Sequence, residues 1–144
     1  MLNILPLIVA GMLASSAVGA SEKEGSLISL MGNFQYFMHK TSLSLDSGNL
    51  ELVKFYAHEI EENLEKAEEY GDYQKYHIGS MVKHTLTPEF ETFEAQLDKG
   101  DLNAANRQFD AMIEACNSCH QSTQKALIRI ERVKTNPFMQ SFAP

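Results

Sequence analysis

Apolar residues recur in steps of three and four along most of this chain, the period of helices with one buried face. The first stripe runs Leu27, Leu30/Met31, Phe34, Met38, Thr41 and Leu45. Ser21 and Glu24 form a capping box ahead of it, so the spacing predicts a helix from Ser21 to the turn cluster Asp46-Ser47-Gly48-Asn49. Asn49 caps a second helix with the stripe Val53, Tyr56/Ala57, Ile60, Leu64 and Ala67, ending at Gly71 in a C-terminal cap position. Asp72 to His77 reads as a polar loop. A third helical region carries Ile78, Met81/Val82 and Leu86, then Phe90, Phe93 and Leu97. Thr87-Pro88 in its middle is a start signal, which leaves one kinked helix or two short ones. Gly100-Asp101 closes this region and caps a last helix whose stripe is Ala105, Phe109, Met112, Cys116 and Cys119. That helix is expected to run a turn or two past His120. Leu127, Ile128 and Ile130 then interleave with Arg129 and Glu131 in a strand-like pattern. The end of the chain cannot be regular helix around Pro137 and Pro144.

Four amphipathic stripes joined by short turns predict an all-α fold: an antiparallel up-down four-helix bundle over residues 21–133 with an extended C-terminal tail, 134–144, packed on it. Phe138 and Phe142 give the tail two apolar anchors. They have two candidate seats, the exposed edge of a cofactor or a helix surface.

Charge narrows the partners. The 144 residues hold 12 Lys+Arg against 19 Asp+Glu, a net charge of -7, and an acidic chain is a poor match for nucleic acid phosphates. Glu61, Glu62, Glu65, Glu68 and Glu69 line one side of the second helix. They read as a solvated face, or as a docking surface for a basic redox partner. The first twenty residues contain no charged side chain, have an apolar centre from Ile4 to Leu13, and end in small residues. They read as a signal peptide over residues 1–20, cleaved after Ala20, although no Lys or Arg precedes the apolar centre. The expectation is an exported, periplasmic protein without a membrane span after cleavage.

The chemistry-bearing stretch is Cys116-Asn117-Ser118-Cys119-His120, which uses both cysteines of the chain. It is C-x-x-C-H, the attachment pattern of haem c. Two thiols one helical turn apart add to the vinyl groups of one haem, and the adjacent imidazole becomes an axial ligand. On a helix, Cys116, Cys119 and His120 share one face. The rival readings are a Cys116–Cys119 disulfide and half of a zinc site, which needs two further ligands.

Placed on the last helix of an exported four-helix pattern, this motif resembles the class II c-type cytochromes, the cytochrome c′ and c-556 group. The resemblance covers most of residues 21–133, and only the haem motif is specific. It implies one covalently bound haem inside the bundle, with His120 as proximal iron ligand and the first helix on the distal side. Some members of that group place a methionine early in the first helix as sixth ligand and carry electrons. Others leave that position open and bind NO or CO. Met31 is the residue at that place, as distal ligand or as core filling; Met38 is a weaker candidate. Phe34 is expected to pack near the ring, and Gln35 to reach the distal pocket or a propionate. A Lys or Arg is expected at the propionates. His39, His58, His77 and His84 are expected to point elsewhere. The function implied is non-enzymatic: an exported monohaem carrier of single electrons between periplasmic or membrane-linked redox partner proteins. A gas-binding, five-coordinate protein is the alternative. Family members often form a homodimer through helices one and two, against which stands the acidic second helix. The chain departs from the group in its 24 residues after His120.

Overall fold

The structure is a computed structural model that describes residues 16–144, with side chains described from Ser26 onward. Almost all its regular structure is helical: α1 (Ser16–Asp46), α2 (Leu50–Glu68), α3 (Ile78–Thr85), α4 (Thr87–Asp98) and α5 (Leu102–Ser122). A two-stranded hairpin, β1 (Asp72–Tyr73) and β2 (Tyr76–His77), joins α2 to α3. The expected export segment lies outside the described residues except for its last five, which are helical. Helix α1 therefore starts upstream of Ser21, and the Ser21–Glu24 pair sits inside it instead of capping it.

Two turns behave as local chemistry requires. Gly48 and Gly100 both have φ +71°, the left-handed conformation that glycine adopts without penalty. Asn49 N–H donates to the Ser44 carbonyl and Gly48 N–H to Leu45, each at 3.0 Å. Asp101 N–H to Gln96 and Gly100 N–H to Leu97 repeat the arrangement, also at 3.0 Å. Each turn thus pairs the orphan carbonyls of one helix and hands over to the cap of the next. The Asn49 carboxamide accepts from Leu52 N–H at 3.1 Å, and the Asp101 carboxylate from Ala104 N–H at 2.9 Å.

Gly71 is not a left-handed cap. Helix α2 ends at Glu68, with Glu69 still in helical conformation. The expected polar loop is the hairpin, paired Asp72↔His77 and Tyr73↔Tyr76. Its turn holds Gln74 at φ +54°. Gly79 docks the hairpin: its N–H donates to the Tyr70 carbonyl at 2.9 Å. A Cβ at Gly79 would strike the backbone oxygens of Glu68 and Tyr70.

The third helical region breaks at Leu86 into α3 and α4, with Pro88 in the first turn of α4, where its missing N–H costs nothing. Thr87 does not cap. Its hydroxyl donates to Glu68 Oε1 at 2.6 Å and ties α4 to α2. One residue of the acidic face is therefore structural.

Helix α1 packs on α2, α4 packs on α5, and α2 reaches α3 and α4, while α1 and α5 touch little. Val53, Ile60, Phe90, Phe93, Phe109 and Met112 are fully buried at the centre. Burying each side chain stabilises by roughly 1.5–3 kcal/mol. Among the described residues no helix is long and apolar enough to cross a membrane.

Helix α5 ends at Ser122, half a turn after His120, and Gln124 at φ +61° turns the chain away. The run from Leu127 to Glu131 forms no strand: it begins in a turn closed by Ile128 N–H to the Lys125 carbonyl at 2.8 Å and continues as irregular chain. The tail beyond it packs on the outer face of α1 and α2. Phe142 is buried against Leu43 and Tyr56. Phe138 stacks on Tyr36 and His39. Lys40 Nζ lies 4.8 Å from the Tyr36 and Phe138 ring centres and donates to Gln140 Oε1 at 2.9 Å. Of the two seats open to the tail, it takes the helix surface.

Candidate functional site

Where α1 and α5 stand apart, a cavity of about 490 Å³ opens between them. That size lies in the usual range for a small-molecule or cofactor site. Cys116, Cys119 and His120 form its α5 wall, and Met31, Phe34 and Gln35 line its α1 wall. All six residues singled out in the sequence therefore meet at one cavity. Phe34 is buried, Met31 half-buried, and Gln35 is at the exposed mouth. Met38 also lines the cavity, with its sulfur 4.0 Å from Cys116 Sγ. The other histidines turn away. His39 contacts the Thr135 carbonyl, His58 pairs with Glu61 and Glu62, His77 with Asp72, and His84 with the Ser80 carbonyl.

The two thiols are held neutral. Burial pushes the Cys116 thiol up to about 12, with Cys119 nearby adding to the shift, and burial also raises Cys119. Both are free thiols. A redox-active dithiol needs an easily formed thiolate, the opposite environment. Zinc would need two more ligands beside them. Among the described residues no group of three or more His, Cys, Asp or Glu side chains is placed to hold a metal ion.

His120 has a defined tautomer. Its Nδ1 lies 2.8 Å from the Ile128 carbonyl oxygen. That oxygen only accepts, so Nδ1 carries a proton, and in the neutral ring it is Nε2 that keeps the lone pair. A neutral imidazole with one nitrogen tied to a carbonyl is prepared as a metal ligand through the other.

Several lining residues are invisible in the helical stripes. Tyr73 and Tyr76 come from the hairpin, and Lys125, Ile128 and Ile130 from the segment after α5. Alternation of Tyr73 and Tyr76 about a two-residue turn was the available signal, weakened because the turn holds no Gly or Asn. Lys125 is the cationic side chain among the described lining residues.

The donor set fits a covalently held haem: two adjacent thiols, an oriented imidazole, a largely apolar enclosure and one cation at its edge. Compared with family models, with curated proteins and with solved structures, the chain matches none of them.

Proposed function

We propose that this protein is an exported monohaem c-type cytochrome, similar to the class II group, that carries single electrons between periplasmic or membrane-linked partner proteins. The observation that carries the reading is the convergence of Cys116, Cys119 and His120 on one wall of an apolar cavity, opposite Met31. Cys116 and Cys119 would hold haem c through thioethers. His120 Nε2 would be the proximal ligand, and Lys125 would pair with a propionate. The helices would enclose the group as an up-down bundle. Bound there, the haem supplies one-electron redox chemistry, and no nucleophile or base is required of the protein.

The work of the chain is then to hold and to shield. Phe34, Val82 and Leu86 line the cavity with apolar surface, which would lower the dielectric around a bound haem and so tune its potential. Met31, on the facing wall, would complete the coordination as sixth ligand; a thioether there favours the reduced form.

Mass spectrometry of the protein made in a host with haem-attachment machinery tests this. The expected mass includes one covalent haem, lost in Cys116→Ala/Cys119→Ala. A mature wild-type protein without that mass refutes the assignment. A low-spin ferric spectrum with a methionine–iron band, lost in Met31→Ala, is expected. A high-spin ferric wild type would remove Met31 as ligand and favour the gas-binding alternative.

A further inference from the structure

The 24 residues beyond His120 are more than a covering. Asn117, a variable position of C-x-x-C-H, faces the extended segment after α5. Its Nδ2 donates to the Ile130 carbonyl at 2.9 Å, and its Oδ1 accepts from Ile130 N–H at 2.8 Å. One carboxamide thus satisfies both backbone groups of a single residue, a two-point clamp that a hydroxyl or an apolar side chain cannot form. Asn117 and His120 are three apart on α5 and so lie on the same side of it. The strap passes both: two residues before Ile130, the Ile128 carbonyl accepts from His120 Nδ1.

We infer that Asn117 is a positioning residue for His120. Its clamp on Ile130 fixes the strap, and the strap fixes the carbonyl that orients the imidazole and makes its Nε2 more basic. This rests on the haem reading above. The physical reason is geometric. The strap has no regular secondary structure, and Leu127 beside Ile128 is 86% exposed. A backbone turn, Ile128 N–H to the Lys125 carbonyl at 2.8 Å, holds Ile128 from one side, and the Asn117 carboxamide pins the strap two residues further on. A proximal ligand made more basic by such a bond stabilises ferric over ferrous iron.

The test uses the full-length, haem-loaded protein. Asn117→Ala should raise the midpoint potential by about 30–60 mV, a three- to tenfold shift in the ferric-to-ferrous equilibrium of a one-electron couple. In a Met31→Ala background, where the ferrous iron is five-coordinate, it should also lower the iron–histidine stretching frequency in the Raman spectrum. Ile130→Pro, which removes the N–H donor from the other side of the clamp, should move both readouts the same way. The double variant should go no further than the stronger single, because both changes break one interaction. Ser118→Ala, at the exposed variable position, should change neither. In the wild type, the Ile130 amide should exchange hydrogen slowly. Unchanged potential and stretching frequency in both variants, or an Ile130 amide exchanging at the rate of a free one, would overturn the inference and leave the haem reading standing. A wild type without covalent haem would overturn both.

Discussion

Arg132 lies one step beyond the clamp, and its replacement gives a stability prediction that can be worked from contacts. Its Nε donates to Asp110 at 2.8 Å and its Nη2 to the Asn106 carbonyl at 2.7 Å, while Nη1 is 3.7 Å from Asp46. The guanidinium also lies 4.9 Å from the Phe109 ring centre. Asp110 is 65% exposed, so that ion pair contributes only about 0.5 kcal/mol. The charged donor to a backbone carbonyl adds roughly 1–1.5 kcal/mol. Stacking on Phe109 adds about 0.5–1 kcal/mol. The Asp46 contact, at 3.7 Å, is too long to add to this sum. Arg132→Ala should therefore destabilise by about 2 kcal/mol, or about 4–8 °C in melting temperature for a chain of this size. Arg132→Lys should lose most of the same amount, because an ammonium cannot serve two divergent acceptors and stack on a ring at once. Urea denaturation followed by circular dichroism gives the number. A loss below about 0.5 kcal/mol would refute the view that this residue joins the strap to α5.

Gly79→Ala should be far more damaging than Gly100→Ala. The first forces a methyl into the Glu68 and Tyr70 carbonyls, and the second meets open space at φ +71°. Expected losses are about 3 kcal/mol or more against about 1 kcal/mol, read from denaturation midpoints. Equal losses would mean the hairpin is not docked through Gly79. The Cys116 thiol gives a pH dependence in haem-free protein. Folding raises it from 9.0 to about 12, so the folded state holds a proton that the unfolded state gives up. The stabilising contribution is complete well below pH 9 and is lost as pH rises through 12, by up to about 4 kcal/mol. Cys116→Ala should flatten that fall between pH 8 and 11, and parallel losses in wild type and variant would refute it.

What was legible in the sequence was what is decided within a few residues. Asn49, Asp101, Gly48 and Gly100 satisfy helix ends through partners at most five positions away, and their roles read correctly. The apolar period located the cores of α2, α4 and α5 for the same reason. The failures are all non-local. Gly71 looks like a helix stop, but the last helical bond is Glu69 N–H to the Glu65 carbonyl, and by Tyr70 the chain is already turning into the hairpin. Thr87 looks like a cap, but Glu68, nineteen residues away, takes its hydroxyl. Ser21 looks like a first residue only if nothing helical precedes it. The candidate site divides along the same line. Its ligating groups are contiguous or lie on one stripe, so they could be named. The groups that orient and cover them, Asn117 with Ile130 and the pair Tyr73 and Tyr76, depend on contacts no periodicity encodes.

The C-terminal extension follows from where the helices fail to meet. A cavity between α1 and α5 removes the side-chain packing that would otherwise join them, so the seam needs another bridge. The chain supplies it in two parts that face different elements. From Lys125 to Arg132 the anchors are α5 groups: the His120 ring, the Asn117 carboxamide, Asp110 and the Asn106 carbonyl. From Thr135 onward the partners are His39, Lys40, Tyr56 and Asn49, all on α1, on α2 or at the turn between them. Arg132 stands at the changeover, with Asp46 of α1 on one side and Asp110 of α5 on the other. The first part can therefore act on the His120 ring while the second holds the far helix. Loosening the tail at Phe142 should cost stability without reaching His120, and loosening Asn117 should do the reverse.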